Sequence, residues 1–413
     1  MSETIGQKPH PVSLYVHWPF CLSKCPYCDF NSHVGSNIDS GLWQTALITE
    51  LNFMAKILEQ RSLNSEQGAG LDKIFELKSI FFGGGTPSLM PPQIVQAIID
   101  QAARLFSFAE DIEITAEMNP TSVETAKLKQ FADAGINRVS VGIQSLDERG
   151  LAFLGREHST DEALSALGAA QKFFSSASAD LIYGLPDQTP ENWTAQLDRI
   201  LAFGLGHLSC YQLTIEPGTV FHTRARQGDI LTAEDDDVAE LYCLTEDVLS
   251  ASGLYGYEVS NYAKPGHASY HNQNYWRSGD WLAIGPGAHG RLTTPEGRLL
   301  LENRKSPDGW LGDVLSAGHG CSRQTIETVR QSFEDYWMMG LRLNEGIPWP
   351  TPHQFGGENN QLNLYWLDIF KKEGWLEQTS THLRATRHGR LRLNMILARL
   401  LDEDAASFTD QEL

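Results

Sequence analysis

What most narrows the fold is an alternation of two kinds of segment along the first half of the chain. Runs rich in β-branched or aromatic residues recur as SLYVHW (13–18), LKSIFFGGG (77–85), DIEITAEMNP (111–120), NRVSVGIQS (137–145), ADLIYGL (179–185) and HLSCYQLTIE (207–216). Segments of helical character separate them at 41–60, 91–107, 122–134, 161–174 and 191–203. Strands joined through helices predict a parallel α/β sheet, wound or curved into a barrel. Nearly every run ends in residues that a plain core does not need: Cys21 to Cys28, Gly83-Gly84-Gly85-Thr86, Glu117, Gln144, Asp180 with Tyr183, and Gln212. In a β/α barrel that rim is the active-site face, so the pattern predicts an enzyme-like cavity.

After about residue 216 the rhythm changes. A charged helix (234–252) leads to YEVSNYAKPG, then to the aromatic and glycine-rich HNQNYWRSGDWLAIGPGAHG (271–290) and a strand-like GRLLLEN (297–303). From SFEDYWMMGLRLNEGI (332–347) onward the chain reads as a small, mainly helical module. Its EGWLEQTSTHLRATRHGRLRLNMILARLL has the look of a short β-wing followed by a helix, as in winged-helix domains. Three regions are therefore expected: a core over 1–235, a connecting region over 236–330, and a C-terminal module over 331–413.

Composition sets the function classes. The 413 residues, 41% of them hydrophobic, are ample for one large core and one or two small ones. MSETIGQKPH lacks an apolar run, and no later segment approaches the ~18 consecutive apolar residues of a membrane span. Neither export nor insertion is expected, which places the chain in the cytoplasm. A peripheral contact with the inner membrane through a local patch is compatible with that. The 32 basic and 52 acidic residues give a net charge of -20, with no Lys/Arg run to offset it, so nucleic acid is not expected as a partner.

In a reducing compartment the six cysteines are not expected to form disulfides. Cys210, Cys243 and Cys321 are isolated and read as small buried apolar residues. Cys21, Cys25 and Cys28 instead crowd into HWPFCLSKCPYCDF. A structural zinc site needs four ligands, usually as CxxC pairs; His17 or His33 could complete a set, but the spacing is unlike a zinc knuckle. An iron–sulfur cluster held by three thiolates leaves one iron open, and that open iron is what binding and reductive cleavage of S-adenosylmethionine (SAM) require.

CxxxCxxC after the first strand, preceded by YVHWPF and followed by GGGTP, resembles the radical SAM superfamily. The resemblance implies a curved partial (β/α)6 TIM-like barrel carrying a [4Fe-4S] cluster on Cys21, Cys25 and Cys28, with Tyr27 just before the last. It implies that Gly84, Gly85 and Thr86 of GGGTP contact the methionine end of SAM, and that Glu117 grips its amino group. Tyr15, Gln144, Arg156 and Asp180 match positions around SAM, or a second SAM, in the coproporphyrinogen-dehydrogenase branch. Arg156 and Asp180 fit a structural ion pair equally well.

HWPFC, GGGTP, DLIYGLP, the EPGT turn and SFEDYWMMGLR extend the likeness to that branch over nearly the whole chain. The dehydrogenases carry a longer N-terminal extension and a fourth cysteine two residues after the third. Here twenty residues precede Cys21, and Phe30 stands at the fourth position. CPYCDFNSH looks instead like the branch's heme chaperones, and HNQNYW matches their HNxxYW motif. That likeness implies a heme site at His271, Asn272, Tyr275 and Trp276, with an axial imidazole beside two flat aromatic faces. A histidine among aromatics is equally a hydrogen-bonded packing residue. The implied partners are heme, acceptor hemoproteins of the membrane-associated respiratory chain, and an electron donor if SAM is cleaved. Oxidative decarboxylation of coproporphyrinogen III is the enzymatic alternative. Whether the chain forms a homodimer is left open.

Overall fold

The computed structural model describes residues 9–35, 38–61, 71–350, 355 and 361–402. The reading of the first residues as lacking an export signal concerns mainly positions 1–8, outside that set. Six strands, β1 (His10–Trp18), β2 (Phe75–Gly84), β3 (Ser107–Met118), β4 (Arg138–Gln144), β5 (Ser176–Tyr183) and β6 (His207–Gln212), lie side by side in chain order and all parallel. Helices α1 (Ser40–Arg61), α2 (Pro92–Leu105), α3 (Thr160–Phe173) and α4 (Pro190–Leu201) stand in their connections. The expected helix over 122–134 is instead two short pieces, Ser122–Thr125 and Leu128–Asp133. The break comes where the Lys127 N–H bonds back only three residues, to the Glu124 carbonyl.

Register explains why the sheet is apolar on one side and polar on the other. Side chains alternate along a strand, and residues opposite each other share a face. Ser13, Ser79 and Glu113 pair across β1, β2 and β3, and Glu117, Ser140 and Ser178 across β3, β4 and β5, lining the inside with polar groups. Val12, Leu14, Val16, Ile80, Phe82, Val141, Leu181 and Leu208 point the other way and build the main core with the helices. Cys210 is buried there as expected, whereas Cys243 and Cys321 are only half-buried.

The region read as a connector contributes to both edges of this sheet. Beyond β6 come β7 (Tyr255–Gly256) and β8 (Asn261–Ala263). Beyond β1 comes β9 (Trp281–Ile284), parallel to it, and then the antiparallel β10 (His289–Thr294), β11 (Gly297–Asn303) and β12 (Cys321–Ile326). The order β12-β11-β10-β9-β1-β2-β3-β4-β5-β6-β8-β7 leaves the curved sheet open, a partial barrel. The charged helix α5 (Asp235–Ala251) packs against α4. A short helix, α6 (Tyr270–Trp276), sits on the inner side of β2.

The C-terminal module has its own core around Phe333, Trp337, Phe370, Leu383 and Ile396. A three-stranded antiparallel sheet of β13 (Ile347–Pro348), β14 (Leu376–Gln378) and β15 (His382–Ala385) combines with mainly helical structure. The β14–β15 hairpin followed by helix is the wing-then-helix order read from sequence. The module docks on α5 through Arg390 and Arg387, which pair with Glu246 at 2.6 and 3.1 Å.

Candidate cluster and cofactor site

The cysteine loop begins where β1 ends, and the glycine turn after β2 holds it against the sheet. The Gly85 N–H donates to the Trp18 carbonyl at 2.7 Å, the Thr86 N–H to the Phe20 carbonyl at 2.9 Å, and the Thr86 hydroxyl to Cys21 Sγ at 3.3 Å. A side chain at Gly85 would press on the Pro19 and Phe20 carbonyls at 2.9 Å. Gly84 has φ +114° and the His17 ring 2.6 Å from where a Cβ would be. Missing side chains here let two turns of the chain itself approach closely.

Above the strand ends lies a cavity of about 380 Å³. Cys21, Cys25 and Cys28 line it together with Tyr27, Gly85, Thr86, Glu117, Gln144, Arg156 and Asp180. Ten of the residues singled out in sequence therefore converge on one space. Arg156 donates to Asn119 Oδ1 at 2.6 Å, to the Gly142 carbonyl at 3.0 Å and to Cys25 Sγ at 3.5 Å. Asp180 accepts from the Ser140 hydroxyl at 2.8 Å. The two therefore do not form the ion pair that the sequence left open. Gln144 has φ +67°, a conformation costly for a residue with a Cβ and frequent where function imposes it.

Burial pushes Glu117 up to about 8, with the neighbouring Asp180 adding and the Gly84 N–H opposing. Burial also raises Asp180, against the Ser209 and Ser140 hydroxyls and Arg138. Two carboxyl groups thus face one cavity with little to neutralise them, an environment that attracts a cationic ligand. Burial raises the Cys21 and Cys28 thiols, so metal uptake must release their protons. Among the described residues no three His, Cys, Asp or Glu side chains gather as a single metal ion requires. Three thiols lining one cavity are the donor set an iron–sulfur cubane takes.

A second cavity, of about 460 Å³, lies on the β1 side and shares Phe30 and Glu117 with the first. Tyr15 and Gly84, expected beside SAM, line this one instead, with His17, Tyr275, Trp281, His289 and Lys305. Asn31 ties its walls together. The Asn31 side-chain N–H groups donate to the Pro286 and Lys305 carbonyls, both at 2.9 Å, and the Asn31 carbonyl lies 2.9 Å from His17 Nε2.

HNQNYW forms most of α6. Glu113 caps that helix, accepting from the Ser269 hydroxyl at 2.9 Å and the Tyr270 and His271 N–H groups at 3.0 and 3.2 Å. His271 is only 1% exposed and stacks on Phe81 with 4.9 Å between ring centres. Its Nδ1 lies 2.8 Å from the Ser79 hydroxyl and its Nε2 2.7 Å from the Tyr275 hydroxyl. Burial, with Arg138 nearby, lowers it to about 3, so the ring is neutral and both nitrogens are engaged. The geometry leaves no free His271 nitrogen for iron. Asn272 donates to the Tyr257 hydroxyl at 3.3 Å, and the Arg342 guanidinium lies over Trp276 at 5.9 Å. Tyr275 is the member of the motif that reaches a cavity.

Sequence reasoning passed over Asn31, Asn119, Ser140, Trp281, His289 and Lys305. Asn31 and Asn119 stood inside motifs already quoted, CDFNSH and AEMNP. Ser140, Trp281 and His289 stood in quoted stretches too, but what they face depends on pairings across the sheet that no local pattern reports, and Lys305 lies in the turn after β11.

Comparison with known proteins agrees with this geometry. The Radical SAM superfamily profile matches residues 15–199, and the HemN C-terminal domain profile matches 334–392. The chain is 36% identical to the heme chaperone HemW of Escherichia coli (strain K12), over 95% of this chain and 99% of that one. It is 38% identical to the mouse (Mus musculus) mitochondrial radical S-adenosyl methionine domain-containing protein 1, over 89% of this chain and 81% of that one. The solved coproporphyrinogen III oxidase (HemN) of Escherichia coli superposes with a TM-score of 0.77 at 22% identity, over 96% of this chain and 91% of that one, a likeness of fold.

Proposed function

Because the chain belongs to the radical SAM superfamily, and within it to the HemW family, we propose that it is a heme chaperone that binds heme and delivers it to acceptor hemoproteins. The observation that carries this reading is the end-to-end match to bacterial proteins named heme chaperones, at 36% and 35% identity over 95% of the chain. The cavity behind the cysteine loop supports the cofactors. Cys21, Cys25 and Cys28 would hold a [4Fe-4S] cluster, which supplies an open iron and an electron when bound. Glu117 and Asp180 would take the ammonium and ribose ends of SAM, with Gly85, Thr86, Gln144 and Arg156 closing around it. Tyr27 packs on Phe221 at 6.4 Å and holds the loop from its far side.

Nothing favours the coproporphyrinogen dehydrogenase reading. The solved oxidase shares the fold at 22% identity, and Phe30 stands where its family carries a fourth cysteine. For the recipients we favour hemoproteins of the respiratory chain, met at the membrane surface. No helix among the described residues is long and apolar enough to cross a membrane.

The test uses anaerobically reconstituted protein. Given heme, it is expected to transfer it to an apo-hemoprotein, followed by the acceptor's absorbance. Given coproporphyrinogen III, SAM and reductant, it is expected to form no protoporphyrinogen IX. Turnover of the porphyrinogen without heme transfer would reverse the assignment.

A further inference from the structure

Resting on the chaperone reading, we infer that heme sits in the second cavity, with His289 as its iron ligand and Lys305 beside its propionates, and that His271 positions the wall instead of binding iron. Of the side chains lining this cavity that ligate iron well, three are already committed. His17 is buried, with Nδ1 3.1 Å from the Tyr15 hydroxyl and Nε2 2.9 Å from the Asn31 carbonyl. Tyr15 therefore spends its hydroxyl on His17, and Tyr275 spends its own on His271.

His289 differs from all of them. Its ring is exposed, lines the cavity, and makes no hydrogen bond among the described residues. Its backbone is fixed, since the Trp281 indole N–H donates to its carbonyl at 2.7 Å. A neutral imidazole on a fixed strand with both nitrogens free is the form iron takes up.

The rest of the lining suits the cargo. Trp281 and Phe30, the latter 57% exposed, offer flat apolar surface. Lys305 is exposed and makes no ion pair among the described residues, which leaves its ammonium for a carboxylate. The volume, about 460 Å³, falls within the ~300–1,000 Å³ of small-molecule sites. HNQNYW acquires a different part: His271 fixes the Tyr275 hydroxyl from below, and Tyr275 packs edge-on against Trp281 at 4.5 Å.

The experiment titrates the full-length, cluster-loaded protein with ferric heme and reads the Soret band. Wild type is expected to show imidazole ligation. His289→Ala should lose that signature and bind at least about tenfold more weakly, and free imidazole should restore the band. His289→Met should keep heme with a shifted band. Lys305→Glu should weaken binding without changing the axial spectrum. His271→Ala should retain imidazole ligation and gain nothing from added imidazole. A His289→Ala protein that matches wild type in band and affinity overturns the assignment, the more so if His271→Ala loses the imidazole signature. A wild-type protein that binds no heme removes the chaperone reading itself.

Discussion

At the scale of single residues, the side chain that decides most is Glu117. Its carboxyl is held up to about 8 by burial and by Asp180, so near neutrality it carries a proton until a cation arrives. SAM brings an ammonium, which favours the ionised form, so binding expels that proton. Affinity is therefore expected to rise about tenfold per pH unit towards pH 8 and then level off, since a raised carboxyl is already ionised above its own pKa. Equilibrium dialysis across that range reads the slope. Glu117→Gln should flatten it and cost roughly ten- to a hundredfold in affinity at the plateau. Alanine at Cys21, Cys25 or Cys28 should each abolish the brown chromophore on anaerobic reconstitution, checked by iron analysis. That these residues share one cavity was legible because polar residues ended strands where a core has no use for them; the roles expected of them came from the resemblance. The packing of His271 was not, because its Ser79 partner lies 192 residues away in sequence.

At the scale of elements, the parallel strands were legible to within a few residues, because inner and outer faces differ so sharply in polarity. The strands of the 236–330 region were harder, since β9 finds β1 across more than half the chain. Helix α6 was missed for another reason: seven residues span too few turns to show a period, and what holds it is a carboxylate on β3. Glu113 accepts at three donors around the helix start, so Glu113→Ala leaves them without a partner. A loss of about 1–3 kcal/mol is expected, seen as a lower urea midpoint with unchanged slope. An unchanged midpoint would show that the helix stands on its Ser269 cap without the carboxylate.

At the scale of the whole molecule, Glu246 receives Arg390 in a largely buried pair and the more exposed Arg387, which also reaches Asp247, where the two cores meet. Glu246→Ala leaves Arg390 with only neutral partners such as the Tyr242 hydroxyl, while Arg387 keeps Asp247 at 2.7 Å. Removing the partner of Arg390 is expected to cost about 1–3 kcal/mol, below the ~3–5 kcal/mol of a fully buried pair because other polar partners and water remain. Calorimetry is expected to show the C-terminal core melting ahead of the sheet; a single transition at the wild-type temperature would mean that the cores are joined chiefly by other contacts. Asn31, three residues beyond Cys28, grips with its side chain the loop and the turn that frame the second cavity. A change in the cysteine loop reaches the neighbouring space through that amide as well as through Phe30 and Glu117, which line both cavities, and coupling of this kind is reciprocal. At equilibrium against a chelator, bound heme should tighten the cluster by the same factor by which the cluster tightens heme, and Asn31→Ala should weaken both effects. On the proposed reading, damage to an iron–sulfur centre would become a signal to unload, passed on in part by a side chain that touches neither metal.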